Sequence, residues 1–115
     1  MAWSDAVTDV LTAYAADDVP ARDVEKAAVK ASLARLVELS PGRAVEVRIP
    51  PYAAVQVIGG TSHRRGTPPA VVECDARTWL SLATGVLTWQ EALTSGKLHA
   101  SGARSDLSAL LPLEA

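Results

Sequence analysis

The chain contains no phenylalanine, and aromatic residues make up only 4% of its 115 positions. A hydrophobic core must therefore be built mainly from Val, Leu, Ile and Ala. Hydrophobic residues still account for 49% of the sequence and charged residues for 21%, which is typical of a globular protein. We predict one domain over residues 1–115, with an N-terminal helical part at 1–40 and a sheet with covering helices at 41–115.

Cysteine is nearly absent as well, because Cys74 is the only one. No internal disulfide can form, which excludes a disulfide-stapled scaffold. No run of about 18 apolar residues occurs, so we expect no transmembrane helix and no stable membrane insertion. Asp5 and Asp9 stand where a signal peptide would carry basic and then apolar residues, so we expect a cytoplasmic protein.

Basic residues give no excess charge, since the net charge is −2. Nucleic acid is therefore not an expected partner, because phosphate binding needs a dense basic surface. The two histidines, His63 and His99, are too few to indicate a metal site. No glycine pattern matches a phosphate-binding or dinucleotide-binding loop, so we predict no metal and no cofactor.

Two helices are predicted before residue 40. In the first, Ser4 is placed as the N-cap of a helix whose apolar residues recur at helical spacing: Val7, Val10, Leu11 and Tyr14. The second is predicted from about Ala21 to Leu39, with an apolar face formed by Val29, Leu33, Leu36 and Val37. Ser40-Pro41-Gly42 ends it, because proline cannot continue a helix.

After residue 42 the apolar residues alternate with polar ones, which is typical of half-buried strands. Strands are predicted at Val45–Ile49, Ala53–Ile58 and Val71–Cys74. A further strand is predicted at Lys97–Ser101. In that strand we expect Leu98 and Ala100 to face inward and Lys97 and His99 to face outward.

The C-terminal half carries clear helix boundaries. Asp75 is placed to cap a helix at Ala76–Thr84, and Gly85 to end it. Thr88 and Glu91 have the spacing of a capping box, which predicts a short helix starting at Trp89. A last amphipathic helix is predicted at Leu107, Leu110 and Leu111, ended by Pro112. This order of elements indicates an α+β domain.

The order and spacing of the segments just described, from the second helix to the C-terminal leucines, resemble the sterol carrier protein superfamily. More narrowly, they resemble the bacterial sterol carrier protein orthologue family. The ending of the superfamily pattern is matched at Leu82, Gly85, Leu87, Ala92, Gly96, Lys97, Leu98, Gly102 and Leu110. Motifs of the narrower family occur at Pro41–Pro51, His63–Pro69 and Val71–Leu80. The resemblance covers nearly all of the chain from Ala21 onward.

The resemblance implies a sterol-carrier-like α+β fold, with a four- to five-stranded, mostly antiparallel sheet covered by helices and preceded by two N-terminal helices. The sequence departs from the superfamily pattern in two respects. It has no clear strand between Gly59 and Pro69, and it has no Phe residues to line a lipid tunnel. The chain also resembles the C-terminal domain of thiol-dependent maleylpyruvate isomerase-like proteins. Their metal ligands lie in a separate helical bundle that nothing here matches, so isomerase activity is not expected.

The apolar residues of the C-terminal half have two interpretations. Together they could line a pocket between the helices and the sheet, since ligand sites are concave and mainly apolar. They could equally fill a solid core, as apolar helix faces normally do. The residues concerned are Trp79, Leu82, Trp89, Leu93, Leu107 and Leu110.

The segment His63-Arg64-Arg65 is the most chemically loaded part of the chain. Guanidinium groups bind carboxylates and phosphates through paired hydrogen bonds, so these residues could hold an anionic head group. Alternatively, one arginine pairs with a structural carboxylate such as Glu46 or Glu73 and the other is solvated.

Three hypotheses for function follow. The first is a non-catalytic, sterol-carrier-like protein that binds a lipid or other hydrophobic small molecule. The second is an interaction module with a packed core, acting as a monomer or homodimer, whose edge strand or His63–Pro69 loop contacts a protein partner. The third, an enzyme, would need Cys74 within reach of a histidine in an open cleft. A buried apolar role explains Cys74 more simply, so we predict no enzymatic activity.

Overall fold

The computed structural model describes residues 2–59 and 70–115. Helices α1 and α2 come first, followed by three strands, two further helices, a fourth strand and a short 3-10 turn. The bounds are α1 Asp5–Ala15, α2 Arg22–Leu39, β1 Val45–Ile49, β2 Ala53–Val57, β3 Ala70–Cys74, α3 Ala76–Thr84, α4 Trp89–Thr94, β4 Leu98–Ser101 and the 3-10 turn Ser108–Leu110. The predicted α+β class is confirmed.

The four described strands form one sheet in the order β2-β1-β3-β4. Strand β1 pairs antiparallel with β2 and parallel with β3, and β3 pairs antiparallel with β4. Two of the three pairings are thus antiparallel, as expected. Because side chains alternate along each strand, one face collects the buried residues. These are Val45, Val47, Ile49, Val57, Ala70, Val72, Cys74 and Leu98.

The helices bury their apolar faces in the same core as this sheet face. Within it, the indole Nε1 of Trp79 on α3 donates a hydrogen bond of 2.8 Å to the hydroxyl of Ser32 on α2. Both residues are fully buried, and the Ser32 hydroxyl in turn reaches the carbonyls of Ala28 and Val29 at 2.9 Å. Every polar atom in this contact is therefore satisfied, as a dry interior requires.

A carboxylate on α2 joins three parts of the fold. Glu25 accepts hydrogen bonds from the hydroxyls of Tyr14 on α1 and Tyr52 in the turn between β1 and β2. Burial raises the pKa of Tyr14, and the hydrogen bond to Glu25 raises the pKa of Tyr52. Both tyrosines therefore stay protonated as donors, and the cluster fixes the helical layer to the sheet.

The residues predicted to cap the helices are confirmed. Ser4 caps α1, and the Asp75 side chain accepts from the Thr78 N–H at 2.8 Å at the start of α3. Thr88 and Glu91 form both hydrogen bonds of the capping box. These motifs lie within one helical turn, so the sequence alone specifies them.

The predicted amphipathic helix at Leu107–Leu111 is wrong. Only the 3-10 turn Ser108–Leu110 forms there. Pro112 cannot continue a helix, and just beyond it the Leu113 N–H donates to the Ala83 carbonyl at 2.9 Å. A long-range hydrogen bond has replaced the local helical one.

The prediction for Ala100 needs correction too. The register places Ala100 opposite Val72 and so on the covered face, but the residue is exposed. Of β4, only Leu98 is buried. The fourth strand therefore extends past the helical layer. The predicted gap in the strand pattern between Gly59 and Pro69 falls almost entirely outside the described residues.

Candidate ligand groove

The link between α3 and α4 is set by two local motifs. Gly85 ends α3 in the left-handed conformation, with φ of +86°, which glycine adopts without steric cost. The Leu87 N–H then donates back to the Ser81 carbonyl at 3.1 Å, and the Thr88 capping box starts α4 at Trp89. The tight turn places Leu87 and Trp89 beside the end of α3.

The C-terminal segment lies along the same end of α3. Leu107 and Leu113 are buried and anchor it at two points. Past Leu113, the Arg35 Nε on α2 donates to the Glu114 carbonyl at 2.7 Å. Pro112 lies close to Gly85: a Cβ atom added at Gly85 would be 3.4 Å from the Pro112 ring. We call residues 107–114 the strap.

Between the α3–α4 link and the strap lies a cavity of about 360 Å³, which we call the groove. Its lining is mainly apolar, with an amide and two hydroxyls among the polar groups. The lining residues are Leu82, Gly85, Leu87, Thr88, Trp89, Gln90, Ser108, Leu111 and Pro112. An apolar cleft with a few polar groups is the usual form of a small-molecule site.

The structure separates the six apolar residues named as pocket candidates. Leu82 and Trp89 line the groove. Trp79 and Leu107 are each 1% exposed and are packed in the core. Leu93 is 38% exposed on α4, and Leu110 is half-buried, and neither lines the groove. Contact of any of the six with a ligand stays a prediction.

Sequence reasoning did not assign Leu87, Leu111 or Pro112 to a pocket. Leu87 carried a signal, because an apolar residue between a helix-ending glycine and a helix cap lies on neither helix face. Leu111 carried none, because the expected helix placed it beside Leu110 on one apolar stripe. The observed 3-10 turn points the two leucines to different surroundings.

The predicted anion site, His63-Arg64-Arg65, lies outside the described residues. The two carboxylates proposed as alternative partners for those arginines contact another arginine. Arg48 Nε lies 3.5 Å from an oxygen of Glu46 and 3.5 Å from an oxygen of Glu73. All three lie on the sheet face opposite the core, so these ion pairs are open to solvent.

Cys74 lies at the end of β3 with its side chain in the core. Burial raises the pKa of its thiol to about 12, and the nearby carboxylates of Asp75 and Glu73 act in the same direction. The thiol is therefore protonated at neutral pH and weakly nucleophilic. His99 pairs with Glu73 in the register, so it lies on the other sheet face from Cys74.

Ligands for a metal do not come together in residues 2–59 and 70–115, where no three His, Cys, Asp or Glu side chains form a suitable group. Within the same ranges, no helix combines the length and apolar character that crossing a membrane would require. The side chains that line the groove offer a ligand apolar surface, one amide and two hydroxyls.

The model of a family described as the bacterial SCP ortholog, SCP standing for sterol carrier protein, matches residues 21–113. That range runs from the start of α2 to the buried end of the strap and so includes every residue of the groove. No curated protein is significantly similar to the chain.

Proposed function

The chain belongs to the bacterial sterol carrier protein orthologue family, and from that premise we propose that it binds a lipid or another hydrophobic small molecule without catalysing a reaction on it. The groove is the proposed site. Its position supports the proposal, since it lies between separate elements, and cavities between elements are common ligand sites.

The single observation that carries the proposal is the apolar lining of this cavity. Leu82, Leu87 and Trp89 form one side, and Leu111 and Pro112 of the strap form the other. Close packing would normally fill the space between such surfaces. An acyl chain lying between them would remove apolar surface of both partners from water.

The energetics are sufficient for such binding. The groove volume of about 360 Å³ lies near the lower end of the range for small-molecule sites, roughly 300–1,000 Å³. Burial of about ten methylenes contributes on the order of 8 kcal/mol before association costs. Without those costs, about 8 kcal/mol corresponds to a dissociation constant of about 1 μM, and the costs shift the expected value toward the millimolar range.

The test is titration with a fluorescent long-chain fatty acid, followed by displacement with unlabelled fatty acids and sterols. The informative variants are Leu111→Ser and Leu110→Ser, because these neighbours are both half-buried but only Leu111 lines the groove. Loss of one leucine contact should weaken binding about tenfold for Leu111→Ser. Leu110→Ser should bind as tightly as the wild type. Absence of saturable binding up to the solubility limit would refute the proposal.

The head-group prediction keeps its own test. His63, Arg64 and Arg65 are proposed to meet an anionic group on the ligand, because guanidinium groups favour carboxylates and phosphates. An Arg64→Gln/Arg65→Gln double variant should then weaken fatty acid binding without affecting an uncharged lipid of the same chain length.

A second candidate function, an accessory module that contacts another protein, is favoured by exposed apolar residues beside the groove. Val86 is 71% exposed and Leu93 is 38% exposed. In addition, β4 ends the sheet among the described strands, and an edge strand can pair with another chain. Native mass spectrometry separates the candidates, since co-purified lipid supports the carrier and a defined protein partner or a homodimer supports the module.

A further inference from the structure

A second concavity adjoins the groove along the outer side of α4. Its volume is about 430 Å³. We call it the polar depression, and it is lined by Leu87, Gln90, Glu91, Thr94, Ser95 and Lys97. Leu87 and Gln90 line both spaces. The groove and the polar depression therefore share a boundary at these two side chains.

Both spaces expose mainly apolar surface, but they differ in charge. The groove is walled mainly by leucine, tryptophan and proline, whereas the polar depression carries one carboxylate, one ammonium, an amide and two hydroxyls. An elongated ligand that reaches from the groove into the polar depression would therefore meet charged side chains only in the second space.

The two charges of the polar depression do not neutralise each other. Glu91 is held by the capping box, in which its carboxylate accepts from the Thr88 N–H at 3.0 Å. Lys97 is positioned by its own N–H, which donates to the Ala92 carbonyl at 3.1 Å. In the part of the chain that the structure describes, the Lys97 ammonium forms no ion pair.

We propose that the ligand is a single-chain amphiphile with a zwitterionic head group, such as a lysophospholipid with a choline or ethanolamine head. Its acyl chain lies in the groove and its head group in the polar depression, with the phosphate facing Lys97 and the ammonium facing Glu91. This inference rests on the proposed function, because it needs the acyl chain to occupy the groove. For a zwitterionic ligand it places the phosphate at Lys97 instead of at His63, Arg64 and Arg65.

Charge explains the choice of class. A head group with only a negative charge is attracted by Lys97 but repelled by Glu91. A head group with only a positive charge is attracted by Glu91 but repelled by Lys97. A zwitterion satisfies both. Since the two side chains are exposed, each attraction is modest. The head group is therefore expected to adjust an affinity that the acyl chain mainly supplies.

The experiment compares three ligands of equal chain length below their micellar concentrations: lysophosphatidylcholine, lysophosphatidylglycerol and monoacylglycerol. Wild-type protein should bind the zwitterion about three- to fivefold more tightly than either of the others. Lys97→Gln should remove its advantage over monoacylglycerol. Glu91→Gln, which keeps the capping box because glutamine can replace glutamate there, should remove its advantage over lysophosphatidylglycerol.

Lys26→Gln, on an exposed position of α2, is the matched control and should change nothing. Equal wild-type affinity for the three ligands would overturn the inference while leaving the proposed function intact. The inference would also be overturned, with the proposed function intact, if the Arg64→Gln/Arg65→Gln variant lost the preference for the zwitterion while Lys97→Gln kept it. Failure of all three ligands to bind would refute the proposed function itself.

Discussion

Two tryptophans on consecutive helices mark two different regions of this molecule. Trp79 is 1% exposed, and its indole N–H is satisfied by Ser32 on the neighbouring helix. Trp89 is 8% exposed, and it lines the groove. The difference lies in what faces each ring. Helix α2 packs against Trp79, whereas the groove at Trp89 is bounded on its other side by the strap, whose Pro112 lies beside Gly85.

The comparison teaches that one domain can have a solid half and a hollow half built from the same residue types. In the solid half, the Trp79 ring and the inner face of the sheet are buried by the helices. In the hollow half, the strap takes the place of the expected helix and borders the groove. If the domain carries a ligand, the hollow half is where sequence changes should affect binding more than stability.

Replacement of Trp79 by alanine should have the largest effect on stability. The substitution leaves a cavity and removes the hydrogen bond to Ser32, at a cost of about 3–5 kcal/mol. Urea unfolding should show it, with Trp89→Ala as the comparison. Trp89→Ala should cost clearly less, because its ring already borders open space. Equal losses would break the distinction between the two regions.

Leu113→Ala should come next. Leu113 is 5% exposed and anchors the strap, so its truncation should destabilise the domain by about 2–4 kcal/mol. It should also weaken ligand binding, because the strap forms one wall of the groove. Thermal unfolding and the fatty acid titration measure the two effects. A stable variant with unchanged binding would show that the strap does not hold the groove together.

The solid half should also exclude water, and the pH dependence of stability due to the Cys74 thiol tests this. Its thiol pKa is raised by burial to about 12 from 9.0, so the native state holds its proton longer than the unfolded chain. Stability from this residue is complete below about pH 9 and falls as the pH rises toward 12, by about 1–2 kcal/mol at pH 10.5.

Unfolding by urea at pH 8 and pH 10.5 is the measurement, with Cys74→Ala as the control. Tyr14 and Tyr52 also have raised pKa values, and they contribute to the alkaline loss in both proteins. The difference between wild type and variant therefore isolates the thiol. A difference that does not change with pH would mean that water reaches Cys74.

Arg48→Ala should have the smallest effect, below about 1 kcal/mol. Its side chain is 53% exposed, and both ion pairs lie on the solvent-facing side of the sheet, where screening weakens them. Thermal unfolding at low and high salt measures the change. A large loss would show that the outer sheet face contributes more to stability than either half of the core.

Motifs confined to one helical turn could be predicted from the sequence. Asp75, Gly85 and the pair Thr88 and Glu91 bound helices α3 and α4 at the expected residues, because capping depends on neighbours within a few positions. The alternation of Val45, Val47 and Ile49 likewise gave the first strand and its inward face.

Long-range contacts could not be predicted in this way. The choice of Trp79 as the packed ring depends on Ser32, which is 47 residues away in the chain. The path of the strap depends on Ala83, whose carbonyl accepts a hydrogen bond from the Leu113 N–H, 30 residues further along the chain. That path puts Leu111 rather than Leu110 in the groove, a change of one position that periodicity does not resolve.

The most direct test of the proposed site is contact quenching of tryptophan fluorescence by a monoacylglycerol brominated in its acyl chain. Two single-tryptophan proteins are needed, Trp3→Phe/Trp79→Phe, which keeps Trp89, and Trp3→Phe/Trp89→Phe, which keeps Trp79. A chain lying in the groove should strongly quench Trp89 and leave Trp79 nearly unchanged. Saturable binding with equal quenching of both rings, or with quenching of Trp79 alone, would contradict the placement of the ligand in the groove.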